Sequence, residues 1–304
     1  NITSEVFLQK QSYDYIIDGD LAVDAGFSLI IDPGVLLEFP TDYNITIDGT
    51  LTAVGTESDS IFFVGTNTNP NIHGGLLIFN STASGSALNY ISMKMMGDVN
   101  TNSAKDAAIA LSTNISQLQN IRMHDIEGYG ILFENGVTQS VSEIIVDNSN
   151  FGFRVTDTSS PTITESKFFN NNTGALINGS ATPAIQFSSF VNNNVGIDNQ
   201  GTGQTIATDN YWGDPSGPTN VSNPGGTGDE IIGDVVFEPF ITNQDQYALA
   251  FDGIDDYVEV PDAASLDISG SITLETWVRF DSVLEAETPL ISKWNPDAPD
   301  QRSY

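Results

Sequence analysis

The sequence predicts an all-β fold, a right-handed, single-stranded parallel β-helix with coils of about 22 residues. Three observations predict it. Glycine recurs every 22 residues, and apolar and asparagine positions recur in the same phase. The segments between them are short, alternating and strand-like, and no amphipathic helix fits inside a repeat. A repeat of this kind is typical of a solenoid whose coils stack at the strand spacing of about 4.8 Å.

Each column of the repeat has a physical interpretation. The glycine column consists of Gly130, Gly152, Gly174 and Gly196. We expect it to mark either a turn with positive φ or a close approach that excludes a Cβ atom. The asparagine column consists of Asn148, Asn170 and Asn192. Their side-chain amides can bond from coil to coil as a ladder at a turn. Apolar columns such as Val146, Phe168 and Phe190 should point inward and stack into a continuous core.

The stretches on either side of the regular repeat carry a family resemblance. Residues 16–34 and 45–53 contain the Ile-Asp-Gly, Asp-Pro-Gly and Ile-Asp-Gly-Thr-Leu segments found in the first coils of secreted β-helices. Residues 210–218 (Asn-Tyr-Trp-Gly-Asp-Pro-Ser-Gly-Pro) resemble a terminating motif, and residues 235–240 resemble a closing strand. Residues 14–240 therefore resemble the pectate-lyase-like right-handed β-helix superfamily. Trp212 is expected to cover the last open layer of the core.

A second domain is predicted after the helix. The 22-residue phase ends near Thr242, which gives a β-helix domain over 1–242 and a linker over 243–246. Residues 247–304 resemble the start of a laminin-G-like, concanavalin-A-like jelly roll, with carrying segments at 249–261 and 274–278. That resemblance implies the first strands of an antiparallel β-sandwich. Because a jelly roll needs about eight strands, we expect the remainder of the polypeptide or another chain to complete it.

Composition narrows the class of protein. The chain has 40 Asp and Glu against 9 Lys and Arg, a formal net charge of −31. Such a charge repels phosphate backbones and disfavours nucleic-acid binding. No apolar run reaches the length of a membrane-spanning helix, so membrane insertion is not expected. Cysteine is absent, which excludes disulfides and thiolate sites. We expect an exported protein, extracellular or at the cell surface.

The nearest approach to a catalytic set lies in the regular coils. Glu143 and Glu165 share a column, and Arg122, His124 and Lys167 lie close to them in the repeat. Two carboxylates with a nearby cation suit a glycosidase or a polysaccharide lyase. The alternative is a solvated β-face with Lys167 as counter-ion. His124 falls in the column of Val146, as a stacked core or turn residue, unless a bulge of one residue shifts it. The alternative role for His124 is that of a general base.

Metal binding has one weak candidate. Asp252, Asp255 and Asp256 flank Gly253 and could form a calcium loop, or a turn in which Asp and Gly supply the backbone geometry. No cofactor is required by this interpretation, and Ca²⁺ is the ion that the sequence suggests.

Three functions fit these observations. The first is a segment of a large secreted or cell-surface protein that is not catalytic and serves as a rigid spacer and an adhesive or glycan-binding module. The second is a polysaccharide lyase or glycoside hydrolase with an appended carbohydrate-binding domain. The third is a passenger held by a secretion or surface assembly.

Overall fold

The computed structural model describes residues 1–12, 14–66, 74–97 and 105–243. Within these residues it contains 25 β-strands and no helix. One sheet of fifteen strands contains β1 (Val6–Leu8), β2 (Tyr15–Ile16), β4 (Ser28–Ile31), β5 (Leu36–Phe39), β7 (Thr50–Val54), β8 (Ile61–Gly65), β10 (Ala87–Lys94), β12 (Gln117–His124), β14 (Ser140–Asp147), β16 (Thr162–Thr164), β17 (Lys167–Phe169), β19 (Ala184–Gln186), β20 (Ser189–Val191), β22 (Thr205–Ile206) and β25 (Val235–Val236). A sheet of ten strands contains β3 (Leu21–Val23), β6 (Ile45–Ile47), β9 (Leu77–Phe79), β11 (Ala107–Leu111), β13 (Tyr129–Phe133), β15 (Phe151–Val155), β18 (Thr173–Ile177), β21 (Val195–Asn199), β23 (Pro218–Thr219) and β24 (Gly228–Ile232).

Each pair of neighbouring strands in these sheets runs parallel. Parallel pairing of each strand with the next coil is the defining feature of a parallel β-helix, and the predicted fold class is confirmed. The laminin-G-like resemblance over 247–304, with its predicted sandwich strands, lies outside the described residues.

Each coil of the helix contains three straight segments. One belongs to the ten-stranded sheet, and two belong to the fifteen-stranded sheet, which bends between them. In β14 the bend is at Glu143, where φ is 57°, and in the next coil it is at Glu165, where φ is 51° and the strand divides into β16 and β17. We call the part that follows the bend the second half-sheet; it contains β2, β5, β8, β17, β20 and the carboxyl-terminal halves of β10, β12 and β14.

The glycine column forms a single file, as predicted. Gly130, Gly152, Gly174 and Gly196 occupy equivalent positions in β13, β15, β18 and β21. They lie within strands, so the alternative that placed them at turns with positive φ is wrong. The close approach is the cause: a Cβ atom on Gly152 would lie 2.3 Å from the Gly174 carbonyl oxygen and 2.7 Å from the Phe168 ring.

The core of the carboxyl-terminal coils is an aromatic stack. Ring centroids are 5.0 Å apart between Phe153 and Phe168, 5.2 Å between Phe168 and Phe190, and 5.0 Å between Phe190 and Trp212. Trp212 has no exposed surface, and β24 and β25 follow it. The expectation that Trp212 covers an open end is therefore corrected: it is a buried member of the stack, 22 residues after Phe190.

Hydrogen-bonded ladders join the coils at the turns. The predicted column of Asn148, Asn170 and Asn192 has left-handed backbone at all three positions, and Asn192 Nδ2 donates to Asn170 Oδ1 at 3.5 Å. A tighter, buried ladder lies one residue later. The backbone N–H of Ser149 donates to Asn171 Oδ1 at 3.0 Å, and that of Asn171 donates to Asn193 Oδ1 at 3.0 Å. Burial of these amides is stable because each one is hydrogen-bonded.

Candidate functional site

The line of bends in the fifteen-stranded sheet places unusual side chains in one row. Asn120, Glu143, Glu165, Phe187 and Asp209 occupy the bend in successive coils, each with φ between 51° and 58°. Asparagine and aspartate tolerate this left-handed backbone, whereas it is uncommon for glutamate and a clear outlier for a bulky phenylalanine. Residues held in such conformations cost about 1–3 kcal/mol each and cluster at functional sites. The row of strained residues therefore makes this face of the sheet a candidate functional surface.

A second row lies two residues beyond the bend, on the outer face of the second half-sheet. The strand register pairs Phe62 with Ser92, Ser92 with Arg122, Arg122 with Ile145, and Ile145 with Lys167. Arg122 and Lys167 are thus separated by one strand, at about 10 Å for two strand spacings. The row of bends and this outer row run side by side along the helix axis.

The two rows border a shallow, open groove with a volume of about 480 Å³. This volume lies within the range of about 300–1,000 Å³ that is usual for ligand sites. Its lining includes Phe62, Ser92, Asn120, Arg122, Glu143, Ile145, Glu165 and Lys167. Four of the five residues predicted as a catalytic set, namely Arg122, Glu143, Glu165 and Lys167, thus meet in one groove.

The charged groups of the groove are free. Within the described part of the chain, Arg122, Glu143, Glu165 and Lys167 form no side-chain hydrogen bond or ion pair, either with one another or with other residues. Lys94, exposed at the end of β10, is likewise unpaired there.

The other cations of the described residues are all engaged. Lys10 lies 2.7 Å from Asp59, Lys105 pairs with Glu134, and Arg154 donates to Asn178 and stacks on Tyr129. The unpaired positive charge of the described chain is therefore concentrated on the second half-sheet.

His124 lies outside the groove lining. The register pairs Met123 with Val146 and His124 with Asp147, so the shift of one residue is present and the placement of His124 in the core column is wrong. Its Nδ1 lies 2.8 Å from Asp147 Oδ2 and its Nε2 lies 3.1 Å from Asp125 Oδ2. With both ring nitrogens occupied by carboxylates, His124 has no nitrogen available as a general base in this geometry.

Sequence reasoning missed the amino-terminal end of the groove. Phe62, Ser92 and Asn120 come from coils that depart from the 22-residue period, since Ser92 and Arg122 are 30 residues apart. A signal was present: Ile91-Ser92-Met93 and Ile121-Arg122-Met123 share an Ile-x-Met pattern around the outer row.

The residues of the predicted calcium loop, Asp252, Asp255 and Asp256, lie outside the described residues.

Donors for a soft metal such as copper are scarce. Cysteine is absent from the chain. In the described residues both nitrogens of His124 face carboxylates, the thioethers of Met93, Met96 and Met123 are buried in the core, and Met95 is the one methionine that is partly exposed. No group of three or more His, Asp or Glu side chains able to hold a metal ion occurs among those residues. Since copper sites in proteins are built from accessible thiolate, thioether and imidazole ligands, the described residues do not fit a copper centre.

The described part of the chain also contains no helix of the length and hydropathy that crossing a membrane requires.

Comparison with known proteins identifies the family. No curated protein and no solved structure matches the chain. The family model described as "Periplasmic copper-binding protein (NosD)" matches residues 14–228, more than two thirds of the chain. A periplasmic family agrees with the predicted export of this protein, and the copper in its description is a property for which the described residues offer no site. The chain belongs to the NosD family.

Proposed function

We propose that this protein is an exported, non-catalytic β-helix module that binds a polysaccharide along the groove of its second half-sheet. The observation that carries the proposal is the set of unpaired charges, Arg122, Glu143, Glu165 and Lys167, around a groove of about 480 Å³. Charged groups on a protein surface usually find partners when neighbours of opposite sign are close, and side chains kept free in a groove are available to a ligand.

The shape of the site supports a linear polymer. The two rows follow the helix axis, because equivalent residues of successive coils lie in strand register. Solenoids present extended surfaces of this kind to long ligands. Phe62, with 38% of its surface exposed, adds an aromatic face against which the apolar side of a sugar ring can pack.

A binding experiment tests the proposal. The purified chain is applied to an array of neutral, anionic and cationic polysaccharides, and hits are quantified by isothermal titration calorimetry. We expect Arg122→Gln with Lys167→Gln to weaken binding by about tenfold, as expected for the loss of charge-assisted contacts. Lys10→Gln is the control, because Lys10 is paired with Asp59 and neither residue lines the groove. Absence of binding to every polymer, or equal weakening by the control, contradicts the proposal.

The second candidate function is a polysaccharide lyase or glycoside hydrolase, and the stacked glutamates favour it. Glu143 and Glu165 occupy the same position in adjacent coils, so their backbones are about 4.8 Å apart. Retaining glycosidases hold their two carboxyl groups about 5–5.5 Å apart, a separation of the same order.

Turnover separates the two functions. Polysaccharides that bind are incubated with the protein, and new reducing ends and unsaturated products are measured. Turnover that is abolished by Glu143→Gln would establish the enzyme and contradict the non-catalytic module. Retained binding without turnover contradicts the enzyme.

A further inference from the structure

The groove combines free charges of both signs. Its negative groups, Glu143 and Glu165, lie in the row of bends, and its positive groups, Arg122 and Lys167, lie in the outer row. In the described residues no atom pair between the two rows comes within ion-pair distance. The site thus offers separate places for a cation and an anion.

The backbone places the two sets of charges at different positions of each coil. At Glu143 and Glu165 the left-handed conformation turns the strand, and Ile144 and Ser166, which follow them, are buried. Arg122 and Lys167 project from the second half-sheet after the turn, where Ile145 lies between them in register. The backbone therefore places the two rows on separate sides of the bend.

The charge of the whole molecule decides between ligand classes. A net charge of −31 repels a polyanion at long range, and two arginine or lysine side chains beside two glutamates do not reverse that field. A polycation is attracted but leaves Arg122 and Lys167 unpaired. A polysaccharide that carries both charges is not repelled as a polyanion is, and it can pair with all four charged groups of the groove.

We propose that the groove is selective for a zwitterionic polysaccharide, one whose repeat carries both an ammonium and a carboxylate group. This inference rests on the proposed function and specifies its ligand. One ammonium group binds between Glu143 and Glu165, whose backbones are about 4.8 Å apart, and the carboxylates on either side of it bind Arg122 and Lys167. The separation of Arg122 and Lys167, about two strand spacings or 10 Å, is of the order of the length of a disaccharide, which suits charges that alternate along the polymer.

The test uses one polymer in two chemical forms. Hyaluronan carries carboxylates and acetamides, and its N-deacetylated form carries carboxylates and ammonium groups on the same backbone. Binding of the folded chain to both is measured by calorimetry at pH 5.5, where the amines are protonated and the carboxylates ionised, in 50 mM and 300 mM NaCl, with EDTA and with Ca²⁺, and chitosan and dextran serve as the cationic and neutral polymers. We expect the deacetylated polymer to bind at least about tenfold more tightly than hyaluronan, with or without Ca²⁺, and more weakly at the higher salt.

Variants of the groove test which of its charged residues bind the ammonium groups of the polymer. Glu143→Gln with Glu165→Gln should weaken binding of the deacetylated polymer by about tenfold and strengthen binding of hyaluronan, since repulsion of its carboxylates is removed. Glu230→Gln, an exposed residue of β24 in the other sheet, is the matched control and should change neither affinity by more than about twofold.

The outcomes are distinguishable from those of the proposed function. Failure of every polysaccharide to bind overturns both proposals. Binding of hyaluronan or dextran as tightly as the deacetylated polymer keeps the glycan-binding module and overturns the zwitterionic ligand. Hyaluronan binding that appears only with Ca²⁺, through the glutamates, overturns it as well. These comparisons are made on the unaltered protein, so they hold even if a variant fails to fold.

Discussion

Phe190 and Trp212 stack with their ring centroids 5.0 Å apart and their planes inclined by 14°. They belong to adjacent coils, and both are fully buried. The indole Nε1 of Trp212 has no hydrogen-bond partner in the described structure, so the contribution of Trp212 to stability comes from packing. This contact joins the regular coils to the coil that precedes β24 and β25.

Replacement of Trp212 should therefore act through the lost stack. Trp212→Ala is expected to destabilise the β-helix by about 3–5 kcal/mol, as for other buried aromatic residues. Trp212→Phe keeps a ring in the stack and breaks no hydrogen bond, so its cost should be clearly smaller. Urea denaturation followed by circular dichroism measures both. A loss of less than about 1 kcal/mol for the alanine variant would contradict the packing role.

The glycine file makes a second prediction. Gly152→Ala places a Cβ atom against the Gly174 carbonyl and the Phe168 ring, and the backbone of two coils must move to accept it. We expect a destabilisation of about 1–3 kcal/mol, typical of overpacking. Gly225→Ala is the control, because a Cβ atom there meets nothing within 4 Å. Equal midpoints of thermal unfolding for the two variants would show that the close approach is not the reason for glycine.

The buried amide ladder makes a third prediction. Asn171→Ala removes the acceptor for the Ser149 N–H and the donor to the Val146 carbonyl, both of them buried. Leaving buried groups unpaired costs about 1–3 kcal/mol each. Asn172→Ala, on the exposed position beside it, removes one surface hydrogen bond from Asn194 and should cost about 0.5 kcal/mol or less. Chemical denaturation of the two variants compares the buried ladder with the exposed one.

Asp229 makes the stability depend on pH. It ends the same ladder by accepting from Asn193 N at 3.0 Å, and burial raises its pKa above the ordinary value of an aspartic acid despite that hydrogen bond. An acid with a raised folded pKa contributes stability that is fully present below the unfolded pKa and is lost as pH rises through the folded pKa. Asp229→Asn should therefore gain stability relative to the natural protein as pH rises from about 4.

The pKa of Asp214 is shifted in the opposite direction to that of Asp229. Hydrogen bonds from Ser216 lower its pKa, so its carboxylate contributes stability above the unfolded pKa that is lost as pH falls. Asp214→Asn should lose stability relative to the natural protein as pH rises, the reverse of Asp229→Asn. Difference curves of unfolding free energy between pH 3 and pH 7 measure both variants. Parallel curves for the two would contradict the assignment of Asp229.

The sequence was most informative where the coil length is constant. Between Gly130 and Gly196 each coil has 22 residues, so equivalent side chains align by counting, and both Glu143 with Glu165 and the glycine file could be found that way. The two coils that lead from Phe62 to Ser92 and from Ser92 to Arg122 have 30 residues each, so counting in steps of 22 did not find Phe62 and Ser92. The same irregularity misplaced His124 by one residue.

The bend itself had no local signal. Glutamate and phenylalanine do not favour positive φ, so the residue types at Glu143 and Phe187 did not predict the left-handed backbone found there. Their conformation is set by the strands on either side, each paired with the neighbouring coils, and such tertiary constraints are invisible to local propensity. The groove depends on that bend, which is why its residues could be nominated from the sequence but its shape could not.

The constant coil length also bears on how such a molecule changes over generations. The coils between β13 and β21 pair with their neighbours in the same strand register, so an additional 22-residue unit is expected to add a layer without changing that register. Each added coil would lengthen the β-helix by about 4.8 Å and the row of bends by one position. The number of coils therefore sets the length of that row.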